Sequence, residues 1–128
     1  MTKAIRFHKT GAPDVLVLED ISIPAPGPGE VQIKQEAIGV NYIDIYHRTG
    51  AYPLPLPSGM GVEGSGVVTA VGPDVTAFQV GDRVAYAGGP PAAYSEERNV
   101  PAARTLKIPK DISAEVAASL IFKGLTVE

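Results

Sequence analysis

GMGVEGSGVVTAVG, residues 59–72, is the stretch on which the reading of this chain turns. Its first six residues match G-x-G-x-x-G, the pattern whose backbone cradles a dinucleotide pyrophosphate. That mechanism needs a buried strand before the loop and a helix after it, because the helix N-terminus binds the phosphates. Both flanks fail. Upstream, AYPLPLPS carries Pro53, Pro55 and Pro57, which cannot donate to a parallel ladder. Downstream, Val67, Val68, Thr69 and Val71 are β-branched and favour a strand. The glycine pattern is a decoy, and Glu63 inside it becomes the question. A carboxylate leading into an apolar strand reads as buried, and a buried carboxylate needs a partner. Arg48 and Arg83 are the candidates, with Asp82 a competing partner for Arg83.

Outward from that stretch, strand patterns recur between turn signals. KAIRF (3–7), VLVLEDI (15–21) and EVQIKQEAIGV (30–40) precede it. In the third, Val31 and Ile33 alternate with Gln32 and Lys34, as in a half-buried strand. NYIDIYHRTG (41–50) changes period: Asn41 caps, Ile43, Tyr46 and His47 share a face, and Gly50 stops a short helix. After the glycine loop, GVVTAVG (66–72), GDRVAY (81–86), AAYSEERNV (92–100) and RTLKI (104–108) read as strands. KDISAEVAASLIF (110–122) reads as a helix with Ser113 at its N-cap. Short strands among 14 glycines and 12 prolines define a mainly β domain, a barrel or a sandwich.

The bulk properties exclude several classes. The 128 residues suffice for one domain with a real core. A net charge of −3, without clustered Lys and Arg, argues against nucleic acid and anionic membrane as partners. No apolar run approaches membrane-spanning length, and MTKAIRFHKTG has no apolar signal core. With no cysteine, disulfides and thiolate metal sites are excluded, and a cytoplasmic location is expected.

The candidate chemistry gathers near the short helix. Asn41 and Asp44 fit capping, at the N-cap and in the first turn. Tyr46 reads as a core or cleft aromatic. Tyr52, on a proline-rich loop, reads as a cleft residue with a polar tip. His8 and His47 have no partner at ligand spacing and read as surface or satisfied histidines. The residues alone thus define a cleft lined by Asn41, Asp44, Tyr46, Tyr52 and Glu63, and no reaction.

The order of segments adds a resemblance. AIRFHKTGAPDVLVLED, PGPGEVQIKQEAIGVNYIDIYHRTGAYP, LPSGMGVEGSGVVTAVG, GDRVAY, AAYSEE and AASLIFKGLTV together resemble the quinone oxidoreductases of the medium-chain dehydrogenase/reductase superfamily. The resemblance covers essentially the whole chain. It implies a chaperonin-10 (GroES)-like, partly open β-barrel with short peripheral helices. Residues 1–128 would be the N-terminal catalytic domain of a longer protein, with the Rossmann domain following. It further implies NADPH-dependent quinone reduction without a metal. Zinc-dependent members carry ligands where this chain has Asn41 and Val62, and neither valine nor a side-chain amide suits zinc. By resemblance, Asn41, Tyr46, Tyr52 and Asp44 form the catalytic set, and Asn41, Arg48, Lys123 and Thr126 approach the cofactor. The full-length protein is expected to be a homodimer. The shorter chain is expected to self-associate through Ile121, Phe122, Leu125 and Val127. Two alternatives stand beside this: a zinc-free reductase of enone C=C bonds, and a non-enzymatic GroES-like binding module.

Overall fold

A computed structural model describes residues 2–118. Eight strands and one α-helix follow in order: β1 (Thr2–Phe7), β2 (Leu16–Ile21), β3 (Glu30–Ile38), α1 (Tyr42–Thr49), β4 (Ser58–Gly59), β5 (Glu63–Val71), β6 (Arg83–Ala87), β7 (Glu97–Pro101) and β8 (Thr105–Lys107). They build two antiparallel sheets, ordered β2-β1-β4 and β7-β3-β5-β6-β8. The sheets are stitched where β1 meets the loop before β7. Ile5 N–H donates to the Tyr94 carbonyl at 2.8 Å, and Glu96 N–H to the Lys3 carbonyl at 2.9 Å. The end strands β7 and β8 share no ladder among the described residues. The fold is therefore mainly β, with no closed barrel.

Alternation explains the core. Val31 and Ile33 on β3 are fully buried, while Lys34 between their face and the next is exposed. They pack with Val68, Val84, Tyr86 and Val100 from β5, β6 and β7. At about 25 cal/mol per Å² of apolar surface, side chains of this size each contribute about 1.5–3 kcal/mol.

Element ends shift by one or two residues throughout, and three departures from the sequence expectation are larger. β5 begins at Glu63, three residues earlier than GVVTAVG. Glycine is a poor strand former in general, but Gly66 lies so close to β3 that a Cβ there would collide with the Lys34 carbonyl. The AAYSEERNV strand shrinks to Glu97–Pro101, because residues 92–96 turn aside to bind the other sheet. Of the helix expected over 110–122, residues 114–118 are helical, residues 110–113 form a turn and the cap before it, and residues 119–122 lie outside the described residues. Its cap is as expected: Ser113 Oγ accepts from the Val116 N–H at 3.2 Å.

Candidate functional site

The site starts at the N-terminus of α1. Asn41 occupies the N-cap in an extended conformation, φ −135° and ψ 157°. Asp44, one turn in, is fully buried, and its Oδ2 accepts from the Asn41 N–H at 3.1 Å. This is the capping role expected for both residues. Gly50 ends the helix in the left-handed region, φ 88°.

Glu63, the first residue of β5, is completely buried. Its partner is neither arginine considered from the sequence. Asn41 Nδ2 donates to Glu63 Oε1 at 2.9 Å. Arg48 instead uses Nε to hold the Gly11 carbonyl at 3.1 Å, and Arg83 holds the carbonyls of Pro109 and Ile112. Asp82 lies 3.6 Å from Lys107. Two chain segments 22 residues apart thus meet through one amide and one carboxylate. The consequence is orientation: with its NH2 end committed to Glu63, the Asn41 amide has a defined direction.

Tyr46 and Tyr52 stand side by side on the surface. Their ring centroids are 5.3 Å apart at 71°, an edge-to-face pair, and the Tyr52 N–H donates to the Tyr46 carbonyl at 3.2 Å. Both rings are about half exposed, so Tyr46 is not a core aromatic. His8 is satisfied by Glu19 at 2.6 Å. His47 departs from expectation: it is buried, and its Nδ1 has no partner among the described residues. Burial pulls its pKa below the usual value, against the opposing pull of the Asp44 carboxylate. Lys123, Thr126, Ile121, Phe122, Leu125 and Val127 lie outside the described residues.

Sequence reasoning missed Tyr94 and Gln35. The Tyr94 hydroxyl donates to Asp44 Oδ2 at 2.7 Å, and burial, reinforced by that carboxylate, pushes its pKa well above the usual phenol range. Its ring lies over Gly61, whose φ of 95° and lack of a side chain are both required there: a Cβ would strike the ring. Gln35 on β3 donates to the carbonyls of Ala93 and Ser95 and accepts from the Tyr86 hydroxyl. The argument that marked Tyr52, a phenol in a proline-rich loop, applies equally to Tyr94 after GGPPAA and is the signal that was available. Nothing in the local pattern marks Gln35. A groove of about 570 Å³ also opens between β1 and the end of β3, lined by Ile5, Leu18, Ala37, Ile38, Val40 and Tyr94 among others. Asn41, Glu63, Tyr46 and Tyr52 do not line it. Among the described residues, no three His, Asp or Glu side chains converge on a point that could hold a metal.

Residues 27–110 match the alcohol dehydrogenase GroES-like domain, and the chain belongs to that family. It is 50% identical to the quinone oxidoreductase of Pseudomonas aeruginosa over 129 residues, covering all of this chain and 40% of that protein. It is 44% identical over 135 residues to a 2-haloacrylate reductase of a Burkholderia species, again covering all of this chain and 40% of that protein. It superimposes on the crystal structure of Escherichia coli quinone oxidoreductase complexed with NADPH with a TM-score of 0.96 at 44% identity. That match covers 98% of this chain and 39% of the other. The chain therefore spans about 40% of the length of these relatives.

Proposed function

We propose that this chain is the substrate-side domain of an NADPH-dependent quinone reductase that works without zinc. The observation that carries the proposal is the Asn41 amide at the N-cap of α1 held on the buried Glu63 carboxylate. The likeness to quinone oxidoreductases, one of them complexed with NADPH, supports it.

The residues fit an organic substrate better than a metal. Val62 is buried and has no donor atom, and the Asn41 nitrogen is engaged as a donor to Glu63. Neither is a zinc ligand in that state. NADPH supplies a hydride when bound, most of its contacts coming from the rest of the longer protein. Asn41, oriented by Glu63, is the polar contact for the nicotinamide and quinone. Tyr46 and Tyr52 supply an angled aromatic surface and two phenol donors for a quinone oxygen as charge develops on it. Asp44 holds the start of α1. Arg48 anchors the helix end on Gly11; by the family resemblance Lys123 and Thr126, outside the described residues, would approach the nicotinamide. A quinone is already electron-poor, so positioning and these donors take the place of a Lewis acid.

A C=C reductase of electron-poor alkenes is the second reading, favoured by the identity to the haloacrylate reductase. Assembly as a homodimer and a cytoplasmic location rest on the family resemblance. The test is NADPH oxidation by the full-length, chelator-free protein against panels of quinones and of acrylates and enones, with elemental analysis of the same sample. Faster turnover of alkenes than of every quinone replaces the first reading with the second. Stoichiometric zinc ends the metal-free part.

A further inference from the structure

We propose that Tyr94 is a positioning residue for Asn41, acting through Asp44, so that the loop of residues 92–96 sets the geometry of the site. The proposal rests on Asn41 serving the reaction proposed above.

Asp44 Oδ2 takes two bonds, one from the Asn41 N–H at 3.1 Å and one from the Tyr94 hydroxyl at 2.7 Å. Its other oxygen, Oδ1, is buried without a partner among the described residues. The phenol and the helix cap therefore share a single acceptor atom. Losing either donor weakens the hold on this carboxylate, since its second oxygen offers no competing anchor among the described residues. Tyr94 is a rigid strut. Its N–H donates to the Met60 carbonyl at 2.7 Å, its carbonyl accepts from the Ile5 N–H at 2.8 Å, and its ring rests on Gly61. Gln35 clamps the residues on either side, at the carbonyls of Ala93 and Ser95, at 2.7 and 2.8 Å. A connected polar path thus runs from β3 through Gln35, the 92–96 loop, Tyr94 and Asp44 to the Asn41 backbone. At its end the Asn41 side chain meets Glu63, which Gly61 and Val62 tie back to the residues under the Tyr94 ring. Tyr94 reaches Asn41 through the Asp44 carboxylate, and among the described residues it forms no ring pair with Tyr46 or Tyr52. Its influence on the chemistry is indirect.

The experiment is a double-mutant cycle in the full-length protein: Tyr94→Phe, Asn41→Ala and both together, with hydrogen–deuterium exchange on residues 41–45. Phe keeps the ring over Gly61 and removes only the hydroxyl. Losing one hydrogen bond to a carboxylate is expected to lower turnover roughly tenfold or more, with NADPH affinity within about threefold. In the Asn41→Ala background Tyr94→Phe should remove almost nothing further, because the group it positions is gone. Exchange over 41–45 should speed up roughly tenfold. Equal losses in both backgrounds make Tyr94 a stability residue and overturn the proposal. So does unchanged exchange at the helix start. Should Tyr94→Phe fail to fold, Asp44→Asn reports on the same shared oxygen from the other side. Should the unmutated protein oxidise NADPH with neither quinones nor alkenes, the functional reading fails, and the exchange experiment still decides whether Tyr94 holds the Asn41 cap.

Discussion

Replacing Gln35 with leucine removes three hydrogen bonds at once, and their cost can be worked out. The Gln35 amide donates to the Ala93 carbonyl at 2.7 Å and the Ser95 carbonyl at 2.8 Å, and its oxygen accepts from the Tyr86 hydroxyl at 2.6 Å. Ala93 and Tyr86 are fully buried and Ser95 is 7% exposed, so water reaches the freed Ser95 carbonyl and Tyr86 hydroxyl poorly, while the Ala93 carbonyl keeps the Ser95 N–H at 2.8 Å. Each buried group left unmade costs about 1–3 kcal/mol. Leucine recovers part of this through its own apolar burial, because the site is half-buried. A net loss of about 2–4 kcal/mol is expected for Gln35→Leu. With a urea slope of about 1–3 kcal/mol per molar, the unfolding midpoint should fall by about 2 M. The control is Gln32→Leu on the same strand. Gln32 makes two weaker contacts, both at 3.2 Å, with Pro24 and Asn99, and should lose about 1 kcal/mol or less. Urea titration of the 128-residue chain followed by circular dichroism measures both. A Gln35→Leu loss below about 1 kcal/mol, or one equal to that of Gln32→Leu, refutes the clamp.

Three further outcomes follow. Tyr52→Phe in the full-length protein should lower quinone turnover about ten- to a hundredfold with NADPH affinity little changed, and steady-state kinetics within twofold of the parent would leave Tyr52 as a wall only. Since burial holds the folded pKa of His47 below its unfolded value of about 6.5, its contribution is complete above that pH and is lost as pH falls towards the folded pKa; His47→Gln should flatten the acid limb of a urea-midpoint profile relative to the parent. Burial raises the pKa of both Tyr86 and Tyr94 above the usual value of about 10, so their stabilisation is present below that pH and lost above it. The last step of phenolate absorbance in an alkaline titration should therefore coincide with the loss of near-ultraviolet circular dichroism.

Most of the fold was legible because it is carried by local pattern. The alternation around Val31 and Ile33, the change of period at Asn41 and the stop at Gly50 each act within a few residues. The strand after the glycine loop is legible for the same reason: β-branched residues follow the loop, and a strand is what they form. The misses are non-local. Glu63 looked for a cation, and chain order offers no way to see that an amide 22 residues earlier arrives at 2.9 Å. Strand β5 was started late because the need for Gly66 comes from the Lys34 carbonyl on another strand. Tyr94 was absorbed into a strand because AAYSEERNV has strand composition throughout, and only the second sheet pulls residues 92–96 out of line. His47 was judged by the absence of a partner, which is correct for Nδ1, but its burial comes from tertiary packing that the helix pattern does not contain.

The sheet order has a consequence for synthesis on the ribosome. β3 occupies the interior of the larger sheet, yet its two neighbours are β5, starting at Glu63, and β7, ending at Pro101. A chain emerging from its N-terminus can form the β1–β2 hairpin early, but β3 then waits roughly thirty residues for β5, and its other edge stays open for roughly sixty until β7 is made. Distant pairings of this kind place such domains among the slow folders, in about milliseconds to seconds. Through that interval Val31 and Ile33 are exposed on an open strand edge, the hazard that edges of this type carry. The charged and polar residues threaded between them, Glu30, Gln32 and Lys34, are what the nascent chain has to keep that edge soluble until its partners arrive.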